Sequence, residues 1–247
     1  MLKQKVNSAK RILCLILISC IVIGCEDKAS SHNRKGLVCY NQKKYDESIT
    51  EFKNALELNP DHYDAHFHLG ITYYAKGMID DAITELKRAI EVDPDEPKAH
   101  YNIAFAYVAH KKFDDAISEY KKAIDLFAAE KDKKEAEGYL YLAVAYSLIE
   151  KHDEALTACK RAVEINPDLE EGHCFLGICY FRMKRYDEAI VALKKAVELN
   201  PKSDKAHSAL SLIYEKLGKT DEHMEENRIL RELASEERDK QWKRNRR

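Results

Sequence analysis

Apolar and polar positions along the chain follow a period of 34 residues that is clearest over Tyr63–Glu96. Leu69, Gly70 and Tyr73 fall on one face of a predicted helix that breaks near Gly77. Ala82, Leu86 and Ala89 fall on one face of a second, which Pro94 ends. The small residues Gly70, Ala82 and Ala89 let the two helices approach closely, and Leu69, Tyr73 and Leu86 fill the space between them. A helix pair of this size leaves apolar surface on both outer sides. It needs a copy of itself as neighbour, so the repeat is the unit of folding. Six registers of the pattern begin at Ala29, Tyr63, Pro97, Ala136, Glu170 and Asp204.

Leu69-Gly70, Tyr73, Ala82, Leu86, Ala89 and Pro94, with their period, resemble the tetratricopeptide repeat. His66 stands where that repeat usually carries Trp. The resemblance covers nearly everything after residue 28. It implies an all-α fold: a solenoid of antiparallel helix pairs wound into a right-handed superhelix, closed by a C-terminal capping helix. The expected repeats are 29–62, 63–96, 97–130, 136–169, 170–203 and 204–234, with a charged tail at 235–247. A fold of this kind says little about which function it carries.

Departures from the pattern are informative. In the first repeat Ser48 replaces the usual Ala, and the first helix is the most polar, as suits a terminal repeat. No Pro closes the third repeat, and the charged segment KDKKE is inserted near 131–135. The spacing predicts that the second helix of this repeat runs about one turn longer than its counterparts. In the sixth repeat His223 and Asn227 take the Ala and Leu positions, while Leu217, Ile229, Leu230 and Leu233 keep one apolar stripe, which reads as the cap.

The first 24 residues are of another kind. Lys3, Lys5, Lys10 and Arg11 precede an apolar run from Ile12 to Gly24, too short for the ~20 residues that span a bilayer. Val22-Ile23-Gly24-Cys25 resembles the bacterial lipobox, which implies a signal peptide at 1–24, cleavage before Cys25 and a diacylglycerol on the Cys25 sulfur. Cys20 is a weaker candidate for the same role. An uncleaved anchor and an ordinary secretory signal are the alternatives. Residues 25–28 then form the lipidated Cys and a short tether, placing the repeats close to the membrane of the bacterial cell envelope. Loss of the leader removes four positive charges from a chain whose formal net charge is −2. Neither balance calls for a nucleic-acid partner.

Candidate chemistry changes this picture little. An Asp recurs at the start of each second helix (Asp46, Asp80, Asp114, Asp153, Asp187, Asp221) and reads as an N-terminal cap rather than a catalytic or metal-binding set. His32, His66, His100, His173 and His207 occupy one register position in five repeats, with Tyr139 in the other. They are read as packed or surface residues, too far apart to share an ion. Cys39, Cys159, Cys174 and Cys179 lack the spacing of a zinc site or a disulfide framework and are read as buried thiols, with a bridge from Cys159 to the fifth repeat as the alternative. No phosphate loop, HExxH, GxSxG or calcium-loop pattern occurs. No catalytic activity, cofactor or metal is expected.

The resemblance implies a site on the first helix of each repeat. Its groove-facing positions carry Phe67, Ile71 and Tyr74, then Tyr101, Phe105 and Val108, then Leu140, Val144 and Leu148, then Ile178 and Phe181. Only Lys98 and Arg182 remain of the basic set with which some members clamp a terminal carboxylate, so an apolar or amphipathic segment is the expected ligand. The chain as a whole is similar to bacterial tetratricopeptide lipoproteins such as type IV pilus pilotins and envelope adaptors. That similarity implies a membrane-anchored interaction scaffold. The competing readings are an enzyme or metal-handling protein using the histidine-rich face, and a cytoplasmic or nucleic-acid adaptor whose leader has been misread.

Overall fold

The computed structural model describes residues 28–130 and 134–244, which are helical apart from short turns. The leader, Cys25 and residues 131–133 lie outside the described residues. In chain order the helices are α1 (28–41), α2 (Tyr45–Leu58), α3 (Tyr63–Ala75), α4 (Ile79–Val92), α5 (Pro97–Ala109), α6 (Phe113–Glu130), α7 (Lys134–Leu148), α8 (His152–Ile165), α9 (Glu170–Arg182), α10 (Tyr186–Leu199), α11 (Asp204–Lys216) and α12 (Thr220–Arg244). They fall into two compact units, α1–α5 and α6–α12, divided after Lys112. Within each unit, helices consecutive in sequence pack against one another.

Two kinds of turn alternate. The turn within a repeat passes through one left-handed residue: Lys43, Gly77, Lys111, Glu150, Lys184 and Gly218 have φ between 59° and 82°. After α2, α4, α8 and α10 the turn between repeats is built on Asn or Asp followed by Pro. Asn59, Asp93, Asn166 and Asn200 are extended, as the residue before a proline prefers. Each side-chain oxygen accepts a hydrogen bond from the backbone N–H two residues on, at 3.1–3.2 Å.

Between the helices of a repeat, one contact recurs sixteen residues apart in sequence. Gly36 lies against Phe52, Gly70 against Leu86 and Gly177 against Leu193, each so closely that a Cβ on the glycine would fall within 3 Å of the partner side chain. Phe52, Leu86 and Leu193 are fully buried. Phe52 extends this contact to the next repeat, where it joins Leu69, Tyr73 and Ala82 in one buried cluster. In the second unit Cys174, Leu193, Leu210, Ile213 and Tyr214 make the corresponding cluster across two repeats. Lysines from second helices lie over tyrosines of the following first helix, Lys87 over Tyr107 at 6.0 Å and Lys160 over Tyr180 at 5.9 Å.

Helix α6 has 18 residues, against 14 in α2, α4, α8 and α10. That is the extra turn expected where no Pro ends the helix. Helix α12 runs for 25 residues, through Arg244, so the polar tail continues the last helix at least that far. Its half-buried stripe includes Ile229, Leu230 and Leu233, while Leu217, in the preceding turn, is 38% exposed. In this last pair the usual glycine–apolar contact is replaced by a polar one. Ser211 Oγ donates to Asn227 Oδ1 at 3.2 Å, and His223 Nδ1 donates to the Ser211 carbonyl at 2.9 Å.

The aspartates do not cap these helices as the sequence suggested. The N-caps of α2, α4, α8 and α10 are Lys44, Met78, Lys151 and Arg185, and none makes a side-chain capping bond. Asp46, Asp80, Asp153 and Asp187 lie one residue inside the first turn, where what remains is the favourable end of the helix dipole. Two of them reach the next repeat instead: Asp46 pairs with Lys76, and Asp80 lies 3.4 Å from His110. Side-chain caps sit on first helices, with Ser203 and His62 accepting from Ala206 and Ala65 at 3.4 Å and Glu96 accepting from Lys98 at 3.3 Å.

Candidate functional site

The histidine row is structural in a way that its spacing does not disclose. His66 Nδ1 meets Glu85 of the neighbouring helix at 2.7 Å, and His66 Nε2 donates to the Pro60 carbonyl at 2.8 Å. His207 repeats this with Glu226 at 2.6 Å and Pro201 at 3.2 Å. His32 keeps the glutamate, Glu51, at 2.7 Å. His100 and His173 keep the proline carbonyl at 2.9 and 2.8 Å. Each imidazole thus ties its helix to the turn before it, to the second helix of its own repeat, or to both. Since Pro60 O and the Glu85 carboxylate both accept, both nitrogens of His66 carry protons in this arrangement. Burial opposes that charge, but the bonds to Glu85 and Pro60 with the glutamate charge outweigh it and raise the His66 pKa above its ordinary value. A ring engaged on both nitrogens has no lone pair for a metal. Among the described residues, no group of three or more His, Cys, Asp or Glu side chains is arranged to hold one.

The Ser211–His223–Asn227 cluster is not a nucleophile site either. With His223 Nδ1 donating to the Ser211 carbonyl, that nitrogen cannot take the Ser211 hydroxyl proton, and His223 Nε2 is occupied by Asn227 at 3.0 Å.

The apolar positions on first helices divide by burial. In the unit α1–α5, Phe67 is only 9% exposed and is packed between Tyr63, at 5.7 Å, and His68, at 5.3 Å. Ile71, Tyr101, Phe105 and Val108 are half-buried, and Tyr74 is 37% exposed. Tyr101 and Phe105 pack as a tilted pair at 5.3 Å. The Tyr63 hydroxyl is buried and has no hydrogen-bond partner among the described residues, and burial pushes its pKa up.

In the unit α6–α12, Leu140 is 1% exposed. It belongs to the core and leaves the expected contact set, because the helix turns that position inward against its neighbours. Val144 and Ile178 do come together. They line a cleft of about 350 Å³ with Ser147, Leu148, Glu150, Phe175, Cys179 and Arg182. Phe181 is half-buried and packs against Tyr186 at 5.9 Å. Sequence reasoning missed Phe175, Ser147, Glu150 and Cys179. Glu150 is the left-handed turn residue, which could have been read from the fixed offset to Gly77 and which sets an acid beside the expected Arg182.

Models of the family described as tetratricopeptide repeat match residues 40–104, 95–168 and 170–203. Among solved structures, Pseudomonas aeruginosa PilF superposes with a TM-score of 0.72 at 13% identity, over 85% of this chain and 93% of that one. PilW, a widely conserved type IV pilus biogenesis factor, gives 0.72 at 14% identity over 80% and 90%. MamA gives 0.62 at 27% identity over 69% and 96%. At 13–14% identity the first two show the fold alone. No curated protein sequence matches significantly. Among the described residues no helix is long and apolar enough to cross a membrane.

Proposed function

The chain belongs to the tetratricopeptide-repeat proteins, and from that premise we propose that it is a lipid-anchored interaction scaffold of the bacterial cell envelope. In this reading it holds an apolar or amphipathic segment of a partner protein against its first helices. The observation that carries the reading is the row of large apolar side chains left partly open on those helices. Ile71, Tyr74, Tyr101, Phe105 and Val108 do so in one unit; Val144, Leu148, Ile178 and Phe181 do so in the other. Open apolar strips of this kind on a folded chain are characteristic of partner surfaces.

Glu150 and Arg182 also line the cleft beside Val144 and Ile178, charges suited to the polar side of an amphipathic helix. No carboxylate clamp is part of this proposal. The anchor is Cys25; PilF and PilW share the fold and name no partner for this chain. The working roles are therefore lipidation at Cys25 and docking at the half-open aromatic and aliphatic positions, with no catalytic step.

The test has two arms. Fatty-acid labelling and fractionation follow Cys25→Ser, which releases the protein or leaves it unprocessed; continued labelling places the anchor elsewhere, with Cys20 next. Affinity capture from detergent extracts compares wild type with Phe105→Ala/Phe181→Ala. Anchor positions typically cost about 2 kcal/mol or more of binding when truncated. Undiminished capture by a double variant of unchanged thermal stability removes these surfaces as the site.

A further inference from the structure

Cys159 of α8 and Cys179 of α9 place their sulfur atoms 3.6 Å apart. They lie 20 residues apart in sequence and belong to successive repeats. Their meeting follows from the repeat pattern. Cys159 occupies the second-helix position filled by Phe52, Leu86, Tyr120 and Leu193 in other repeats, a side chain that reaches toward the first helix of the next repeat. In the fourth repeat that side chain is small, and the position facing it is a second thiol.

The two sulfurs differ in access. Cys159 is 0% exposed and Cys179 5%, and Cys179 alone of the two lines the cleft with Arg182. Cys174, on the same helix as Cys179, belongs to the core cluster with Leu193 and Tyr214, and burial pushes its thiol up to about 11.

We propose that Cys159 and Cys179 are a redox-responsive thiol pair that closes to an intrachain disulfide by exchange with an incoming disulfide, from a low-molecular-weight compound or a thiol oxidoreductase. The proposal is independent of the anchor and of the partner surface. The Cys179 thiolate attacks one sulfur of the incoming R–S–S–R, its S–S bond breaks, and one R–S⁻ leaves and takes up a proton. Cys159 then loses its proton and attacks the Cys179 sulfur of the mixed disulfide, expelling the second R–S⁻, which is protonated in turn. Two protein thiols are oxidised and one external disulfide is reduced to two thiols.

The order follows from geometry: the sulfur reached from the cleft acts first and the enclosed one resolves. The hydrogen bond that Cys179 receives from Cys159 lowers the Cys179 pKa, while that same bond and burial raise the Cys159 pKa, in keeping with the assignment. A disulfide needs about 2.05 Å between sulfurs, so the two must approach by roughly 1.5 Å. The bond would tie the second helix of the fourth repeat to the first helix of the fifth, in the wall of the cleft that holds Val144 and Ile178.

The test oxidises the reduced full-length protein with oxidised glutathione, alkylates it and maps the peptides. No Lys or Arg lies between Arg161 and Arg182, so a digest that also cuts after aromatic residues is needed to separate Cys174 from Cys179. The expected result is one Cys159–Cys179 cross-link per chain and a Tm raised by several degrees, both reversed by dithiothreitol. Cys159→Ser instead accumulates a glutathione adduct on Cys179. Recovery of Cys159 and Cys179 as alkylated thiols after oxidation overturns the proposal, as does a cross-link from Cys179 to Cys174. The wild-type map decides the matter even if a variant fails to fold.

Discussion

A Cβ built on Gly177 lies 2.5 Å from Leu193 Cγ and 3.1 Å from the Ala189 carbonyl oxygen, so these two helices meet at a distance only glycine permits. Leu193 has no exposed surface and its branch point cannot swing away as the end of a flexible chain would. Gly177→Ala should therefore destabilise the fold by about 1–3 kcal/mol, the usual cost of overpacking a close contact. Denaturant unfolding measures this. Because Leu193 supplies the clash, adding Leu193→Ala to Gly177→Ala should cost less than the two single effects together. Strict additivity would show that the cost arises elsewhere.

Removing a true cap and removing a first-turn aspartate should differ. Ser203 accepts from Ala206 N–H, so Ser203→Ala should cost about 1 kcal/mol. Asp80 lies inside the first turn of α4 and not at its N-cap, Met78, and its side chain is 86% exposed. Asp80→Ala should stay within the roughly 0.5 kcal/mol expected of surface substitutions. A larger loss for Asp80→Ala than for Ser203→Ala would restore the aspartate as the cap.

Stability should depend on pH through His66. Its pKa is raised in the folded chain, so the folded state binds this proton more tightly than the unfolded state does. The resulting stabilisation is complete below the ordinary imidazole pKa, about 6.5, and is lost as pH rises through the higher folded value. Urea unfolding from about pH 5.5 to 8.5 on wild type and His66→Gln separates this contribution from other titrating groups. The difference between the two curves should shrink with rising pH; a constant difference would show that His66 contributes by packing alone.

The left-handed turn residues offer paired tests. Gly77 has φ of 82°, and a Cβ placed on it would meet nothing within 4 Å, so Gly77→Ala carries a backbone penalty without a steric clash. It should lose about 1 kcal/mol. Lys184, at φ of 59°, already bears that penalty. Lys184→Gly should be neutral or stabilising by up to about 0.5 kcal/mol, the gain offset by the freedom glycine brings to the unfolded chain. Thermal melts of both variants check the opposite signs.

Much of the architecture is legible in the residue order. The period, the Pro after α2, α4, α8 and α10 and the glycine or left-handed turn after each first helix are local features. They act through backbone preferences that any short segment carries with it. The longer α6 follows from the absence of one proline. The same local reading misplaced the aspartates, which lie two residues beyond the N-caps Lys44, Met78, Lys151 and Arg185, because recurrence marks the start of a helix without saying which residue sits at its cap.

Contacts between helices were decided by tertiary structure. His66 meets Glu85 across 19 residues and Cys159 meets Cys179 across 20. Leu140 faces inward while Val144, one turn later, opens into a cleft. Sequence by itself determined that this chain is a stack of helix pairs with apolar first helices. Which of those apolar residues remain open, and which polar groups find partners, depends on the rotation and close approach of neighbouring helices. Those are set by packing volumes such as Gly177 under Leu193, and no single helix encodes them.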